Sequence, residues 1–404
     1  MRRWACAILG MLLLAACGGR TPVPSPPASP RATPTAPAPT ASPTPGLPPA
    51  ETPTPPGTPV GAFVPRVEVV ATGLEVPWAL AFAPDGRIFV TERPGRIRVI
   101  ENGRLRPEPV AVLPVAAVGE GGLMGLALDP QFAHNGYLYV MYTYRAGGEL
   151  RNRISRLTVR GNTAGAEVVL VDAIPGASIH DGGRLAFGPD GKLYATTGDA
   201  TQRALAQRLD SLAGKILRLN PDGSVPADNP FPGSYVFSYG HRNPQGLAWH
   251  PQTGRLYSTE HGPTGEMGLC CLDELNLIRP GANYGWPVVT DAPGDPRFVD
   301  PILHSGQETW APAGMAFVTG TALAPWAGHL FFGALRGQHL HHVVLSPDGS
   351  RVVFHEALFQ GQFGRIREVH MGPDGFLYFT TSNRDGRGRP GPEDDRILRI
   401  VPGP

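Results

Sequence analysis

The chemistry of this chain concentrates between residues 180 and 263. The segments HDGGRL (180–185), GHRNPQGL (240–247) and EHGP (260–263) set a histidine, arginines, an asparagine and a Gly-Pro corner where the pattern reads as strand ends. Neutral imidazole is a usable base near neutral pH. Planar guanidinium forks suit carboxylates, and hard cations accept neutral oxygen ligands. Further on, Arg365 and Arg367 lie two apart in GRIREVHMGP, so strand alternation sets both on one face with Ile366 opposite. Two guanidiniums in a buried channel are costly without an anion, and Arg242 and Arg336 are placed to join them. The set suits an anionic cofactor beside a hard metal ion, with His180 left over to abstract a proton. The competing reading pairs each arginine with a local acid such as Glu368 and makes His180 structural.

The elements that must position these residues repeat six times. A turn followed by an alternating apolar strand recurs as PDGRIFVTE (from Pro84), HNGYLYVMY (His134), PDGKLYATTGD (Pro189), QTGRLYSTEHG (Gln252), WAGHLFFGALRG (Trp326) and PDGFLYFTTSN (Pro373). Asp-Gly and Asn-Gly supply the positive-φ residues that tight hairpins need. Most copies are preceded by an apolar strand such as WALAFAP or GLMGLALDP, and followed by a second one such as GRIRVI or DRILRI. Radial repetition without long helices predicts an all-β, six-bladed β-propeller; a two-sheet sandwich is the alternative. The last unit ends one strand short, and RVEVVATG (66–73) can supply it, closing the ring and protecting its edges.

The first residues read as a leader: Arg2 and Arg3, an apolar run too short to span a bilayer, then LLAAC. That ending resembles a bacterial lipoprotein box, with residues 1–17 forming the signal and Cys17 the lipidated residue; an ordinary signal peptide is the alternative. Either predicts export, and lipidation predicts anchoring at the extracytoplasmic face of a membrane. Residues 18–60 are rich in Pro, Thr, Ser and Ala and cannot bury enough apolar surface to fold, which predicts a disordered tether. Residues 61–404 are long enough for one large β domain. With Lys+Arg 35 against Asp+Glu 34, the near-neutral charge argues against a nucleic-acid groove. Of the four cysteines, Cys270 and Cys271 alone fall in this domain, either as a vicinal disulfide or as reduced loop thiols.

Taken together, HDGGRL, SLAGKILRLNPDGSVPADNPF (211–231), GHRNPQGL, EHGP, DELNLI with GANYGWP (273–287) and GRIRE (364–368) resemble the soluble quinoproteins. These are the pyrroloquinoline quinone (PQQ)-dependent glucose and aldose sugar dehydrogenases of the glucose/sorbosone dehydrogenase type, which are six-bladed propellers. The resemblance spans residues 67–401 in order. It implies a dehydrogenase that oxidises the C1 hydroxyl of aldoses to lactones and passes electrons to a periplasmic or membrane acceptor. His180 would be the general base. Glu120, Arg242, Asn243, Arg336, Arg365 and Arg367 would contact PQQ. The carbonyls of Gly262 and Pro263 would ligate Ca²⁺, and Glu274 with the Tyr284 carbonyl would form a second calcium site.

Three departures stand out. Glu120 replaces a frequent glutamine and adds negative charge. Ile179 precedes His180 where the glucose enzymes have an acid, whereas Asp181 follows it. The insert GEMGLCC (265–271) lengthens the loop beside the Gly-Pro corner and bears on substrate access. Trp310 either walls the pocket or packs under a blade. His339, His341 and His342 invite a metal reading, but lacking a further ligand at a known spacing they read as surface residues of the fifth blade. Two other functions compete: a calcium-dependent lactonase using metal-bound water, and a non-catalytic propeller that binds glycans or proteins.

Overall fold

The turn chemistry builds the same hairpin again and again. At 84–86, Gly86 takes φ 89°, its N–H donates to Ala83 O (3.0 Å), and Ala83 N–H donates to Arg87 O (2.8 Å). The PDG turns ending at Gly191 and Gly375 repeat both bonds. The HNG copy instead ends a one-turn helix, Phe132–Asn135, with Gly136 left-handed at its C-cap.

The computed structural model describes residues 63–291 and 293–403. The leader at 1–17 and the tether at 18–60 lie outside the described residues. Within them, six antiparallel sheets follow one another along the chain. Blade 1 begins with Pro77–Phe82, blade 2 with Leu123–Leu128 and blade 3 with Leu185–Phe187. Blade 4 begins with Pro244–Trp249, blade 5 with Pro312–Phe317 and blade 6 with Ile366–Met371. These first strands contact one another in ring order, from blade 1 round to blade 6 and back to blade 1. The six-bladed propeller is therefore the fold. Blade 6 runs Ile366–Met371, Leu377–Thr381, Ile397–Pro402, and its outermost strand is Pro65–Ala71. Pro65–Ala71 pairs antiparallel with the final strand, from Pro65 opposite Pro402 to Ala71 opposite Ile397. That is the predicted closure, in which the two ends of the propeller share one sheet and the final strand is paired on both sides.

The core lies between blades, where alternate strand residues meet: Trp78, Tyr139, Tyr257, Phe331, Phe332 and Phe379 are fully buried. Across the hub, Arg184 of blade 3 hydrogen-bonds Glu368 of blade 6, lies over Trp78 (4.5 Å), and donates from Nε to Gln245 O (2.9 Å). This buried ion pair divides the hub into two ends; we call the one carrying His180 the upper end.

The fifth-blade histidines are not surface residues. His339, His341 and His342 are buried, because both faces of that strand are covered: His341 packs on Phe332 and Trp310 with His339 against it, and His342 stacks on Phe331 on the other face. They form ordered chains. His339 Nδ1–H donates to Gly337 O, which leaves its Nε2 to accept from His341 (2.7 Å). His341 Nδ1 in turn accepts from His355 (2.6 Å). Among the described residues no group of three or more His, Cys, Asp or Glu side chains is arranged to hold a metal ion.

Candidate active site

A cavity of about 370 Å³ opens at the upper end, where second strands end and connecting loops begin. Its wall includes His180, Arg242, Arg336, Arg365, Arg367, Glu120 and Gly262. Residues from blades far apart in sequence thus converge within reach of one imidazole.

His180 is held in an unusual backbone state. Its φ is +63°, a left-handed conformation that costs free energy in a non-glycine residue. Two bonds fix it: His180 N–H donates to Glu120 Oε2 (3.1 Å), and its carbonyl accepts from Ala200 N–H (3.2 Å). Gly198 lies so close beneath that a Cβ there would collide with the His180 carbonyl. The imidazole is oriented by Asp199, whose Oδ1 accepts from Nδ1 at 2.8 Å. Asp199 also accepts from Trp286 Nε1 (2.8 Å) and Thr201 N–H (2.8 Å), so its carboxylate is fixed on both oxygens. With Nδ1 protonated toward Asp199, Nε2 carries the lone pair, and Arg242 Nη2 donates to it at 2.8 Å. This resolves the orientation of His180: the acid is Asp199, not Asp181. Asp181 instead accepts from Asn152 Nδ2 (2.8 Å) and Ala177 N–H (3.1 Å), and burial pushes its carboxyl up to about 6. Behind Asp199, Lys215 pins the 205–213 loop by donating to the carbonyls of Leu205, Ala206 and Ala213.

The arginines divide into paired and unpaired. Arg365 Nε donates to Asp385 Oδ2 (2.8 Å), and Arg367 Nη2 lies 3.6 Å from the same oxygen. Their local acid is Asp385, because Glu368 is committed to Arg184. Burial lowers Arg367 to about 10, with Asp385 opposing that shift. Arg242 Nε pairs with Glu266 Oε2 at 2.7 Å, and Nη1 donates to His261 O (3.0 Å). Arg336 is exposed to the cavity and forms no side-chain hydrogen bond or ion pair among the described residues.

Burial opposes ionisation of Glu120, but the neighbouring His261 and Arg387 and the His180 N–H more than offset it and lower its pKa to about 2. Arg387 Nη1 reaches Glu120 Oε1 at 2.7 Å. The extra charge at position 120 therefore comes with its own counter-ion.

Not every expected residue reaches the wall. Asn243 is buried beneath it: its Oδ1 accepts from Gly182 N–H (3.0 Å) and pins the HDGG loop, while its Nδ2 has no partner. Pro263, Glu274 and Tyr284 line a smaller adjoining cavity that shares Gly262 and Arg242 with the first. Glu274 is pushed well above the usual carboxylate range by burial and by the charge of Glu260. Trp310 packs against Phe332 and His341 under blade 5, and its neighbours Thr309 and Ala311 do the lining. Cys270 and Cys271 are joined to each other.

Sequence reasoning missed Arg93, Asp199, Glu266, Asp385 and Arg387. A signal for most of them existed. Each follows the second strand of its repeat closely, as Arg93 follows Ile88–Glu92, Asp199 follows Leu193–Thr197 and Asp385 follows Leu377–Thr381. Arg336 stands in the same place after Leu330–Ala334. Aligning the six repeats on that strand end marks the upper rim of the hub.

The family model described as Glucose / Sorbosone dehydrogenase matches residues 74–398. The aldose sugar dehydrogenase YliI of Escherichia coli K12 is 34% identical over 353 residues, covering 80% of this chain and 91% of that protein. A Thermus thermophilus structure, assigned to the oxidoreductases as a glucose dehydrogenase, is 50% identical with TM-score 0.78, covering 84% of this chain and all of that one. The PQQ-bound aldose sugar dehydrogenase of Streptomyces coelicolor is 38% identical with TM-score 0.74, covering 85% of this chain and 99% of that one.

Proposed function

From the premise that this chain belongs to the glucose/sorbosone dehydrogenase family and is an oxidoreductase, we propose that it oxidises the C1 hydroxyl of aldose sugars to lactones, using PQQ and Ca²⁺. The observation that carries this reading is the convergence of arginines around an imidazole whose Nδ1 is held by Asp199. A lactonase has no use for that cluster.

The residues present fit both groups. The cavity has the size of a small polyacid site; among the described residues Arg336 has no side-chain partner, and the Nε of Arg93 and the Nδ2 of Asn243 are buried without one. Arg336, Arg365, Arg367 and Arg242 would hold the carboxylates, with Asn243 adding a donor. Among the described residues the carbonyls of Gly262, Pro263 and Tyr284 accept no backbone hydrogen bond. Such free oxygens, beside the carboxyl group of Glu274, suit a hard cation. When bound, the two groups supply a two-electron acceptor for the C1 hydride and a divalent charge that polarises it.

The chain's own part is proton transfer and positioning. His180 Nε2 takes the hydroxyl proton of the sugar, after the Arg242 N–H that occupies it gives way. Asp199 then stabilises the imidazolium through Nδ1. The fixed left-handed backbone at His180 keeps the base from turning away. We further infer export with lipidation at Cys17, so that electrons pass to an acceptor in the periplasm or membrane.

The test is reconstitution. Apo-protein is titrated with PQQ and CaCl₂, its visible spectrum recorded, and an aldose added with a redox dye. Bleaching of the cofactor band and dye reduction are expected. Failure to bind PQQ in the presence of Ca²⁺, or release of acid from a lactone without dye reduction, overturns the reading.

A further inference from the structure

One acid in the cavity differs in its support from the others. Glu266 belongs to the 265–271 insert, a turn closed largely on itself: Gly265 N–H donates to Leu269 O (2.8 Å), Leu269 N–H donates to Glu266 O (2.9 Å), and Thr264 bridges to Cys270. Gly265 and Gly268 both have positive φ, and Met267 at the tip is exposed. From this turn the Glu266 carboxylate reaches inward. Oε2 pairs with Arg242 Nε at 2.7 Å, and Oε1 lies 3.7 Å from His180 Nε2. Asp385, by contrast, is buried and tied to Arg365 and Ser382.

We propose that Glu266 is a resident anion that holds Arg242 until an anionic ligand displaces it. This rests on the cofactor reading above. Three of the five N–H groups of Arg242 are spent on Glu266, His261 O and His180 Nε2. A ligand carboxylate that takes a two-pronged grip on Arg242 must evict the one group able to leave. Glu266 is that group, because its anchor is a small loop hinged on two glycines, whereas His261 O is backbone and His180 is locked by Asp199. While Glu266 is in place, Arg242 is also steered onto His180 Nε2, the atom that has to accept the substrate proton. Exchange therefore loads the site and frees the base together. No atom of Glu266 is consumed: one carboxylate replaces another on the same guanidinium.

The exchange has two signatures that a remote charge effect lacks. PQQ is titrated, with Ca²⁺ present, into wild type, Glu266→Gln and Glu266→Asp, following tryptophan quenching. Glu266→Gln is expected to bind at least tenfold more tightly. Glu266→Asp keeps the charge but shortens the reach to Arg242, and is also expected to gain several-fold; an affinity equal to wild type overturns the exchange. Hydrogen–deuterium exchange over 264–271 is then compared without and with PQQ. Displacement predicts faster exchange in the loaded protein, the reverse of ordinary ligand protection; slower exchange overturns the proposal. Binding by the variants but not by wild type supports it in its strongest form. No binding by any of the three overturns the cofactor reading, and this inference with it, whereas equal binding by all three overturns the role of Glu266 alone.

Discussion

The two ends of the hub hold cavities of the same size, about 370 Å³ each, and opposite chemistry. The lower one is lined by the first strands themselves: Leu80, Phe82, Leu126, Leu247, Met315 and Phe317 among them. Its few polar groups include the Arg184–Glu368 pair at its ceiling and His370. The upper one is lined by six arginines and five carboxylates, most of them on loops just past strand ends. Repetition accounts for the lower cavity, since each blade contributes the same small apolar pattern. Departures from repetition account for the upper one. A hole of suitable volume is therefore a by-product of six-fold closure, and only the unrepeated residues give it a use.

If that division holds, changes at the two ends should separate activity from stability. The largest effect is expected from His180→Ala, which should cut turnover about 10³-fold while leaving PQQ affinity within a few-fold; steady-state kinetics beside a binding titration checks it, and loss of both together removes His180 from the base role. Next comes the partition between the ends. Glu368→Gln leaves Arg184 buried without its counter-charge, and Arg184 Nη2 already lacks a hydrogen-bond partner. Urea unfolding should show a loss of about 3 kcal/mol, with kcat of the folded protein little changed.

The sharpest contrast pairs a lower-end with an upper-end truncation. Leu126→Ala removes a nearly buried side chain from the blade 1–2 core and should cost about 2–3 kcal/mol with PQQ affinity intact. Arg367→Leu should do the opposite. Its charge is held in the cavity against burial, and Asp385 keeps Arg365 as a partner when it is gone. Apo stability should stay within about 1 kcal/mol or rise, while affinity falls at least tenfold. If both variants lose stability alike, the upper arginines are scaffold, not socket.

The same division explains what could be read from the sequence. The repeat, the blade count and the closing strand follow from turn pairs and alternation, which are local signals. Arg365 and Arg367 can be placed because a strand's face is fixed by parity, Arg242 and Arg336 because they adjoin strand ends, and all four line one cavity. The pairing was another matter. Which acid meets Arg365 and which orients His180 depends on loops after strand ends, and no periodicity governs loop paths. Asp199 and Asp385 were therefore invisible as partners although they lie only 19 and 20 residues from His180 and Arg365. The burial of the fifth-blade histidines has a related cause: the absence of a metal-ligand spacing does not imply a surface position, because imidazoles that satisfy one another can be buried.

A smaller effect tests whether the upper end is charged by design or only by composition. Asp181 sits at the cavity floor with Oδ2 unpartnered, and burial raises its pKa to about 6. A carboxyl whose folded pKa exceeds its unfolded value binds its proton more readily when folded, so its ionisation opposes folding above that pKa and the penalty fades as pH falls through 6 toward 4. Asp181→Asn should therefore be more stable than wild type at pH 7.5, by on the order of 2 kcal/mol. The difference should close by about pH 4. The comparison must be made between these two proteins and not from the wild-type profile alone. The fifth-blade histidines act in the opposite sense: burial lowers His341 well below the usual imidazole range and brings His329 to about 4, so acid destabilises that blade. That contribution is common to both proteins and cancels in the difference. A stability gap that is flat from pH 4 to 7.5 would mean that Asp181 is not ionised at the floor of the cavity, and that the upper end carries less negative charge than its residues imply.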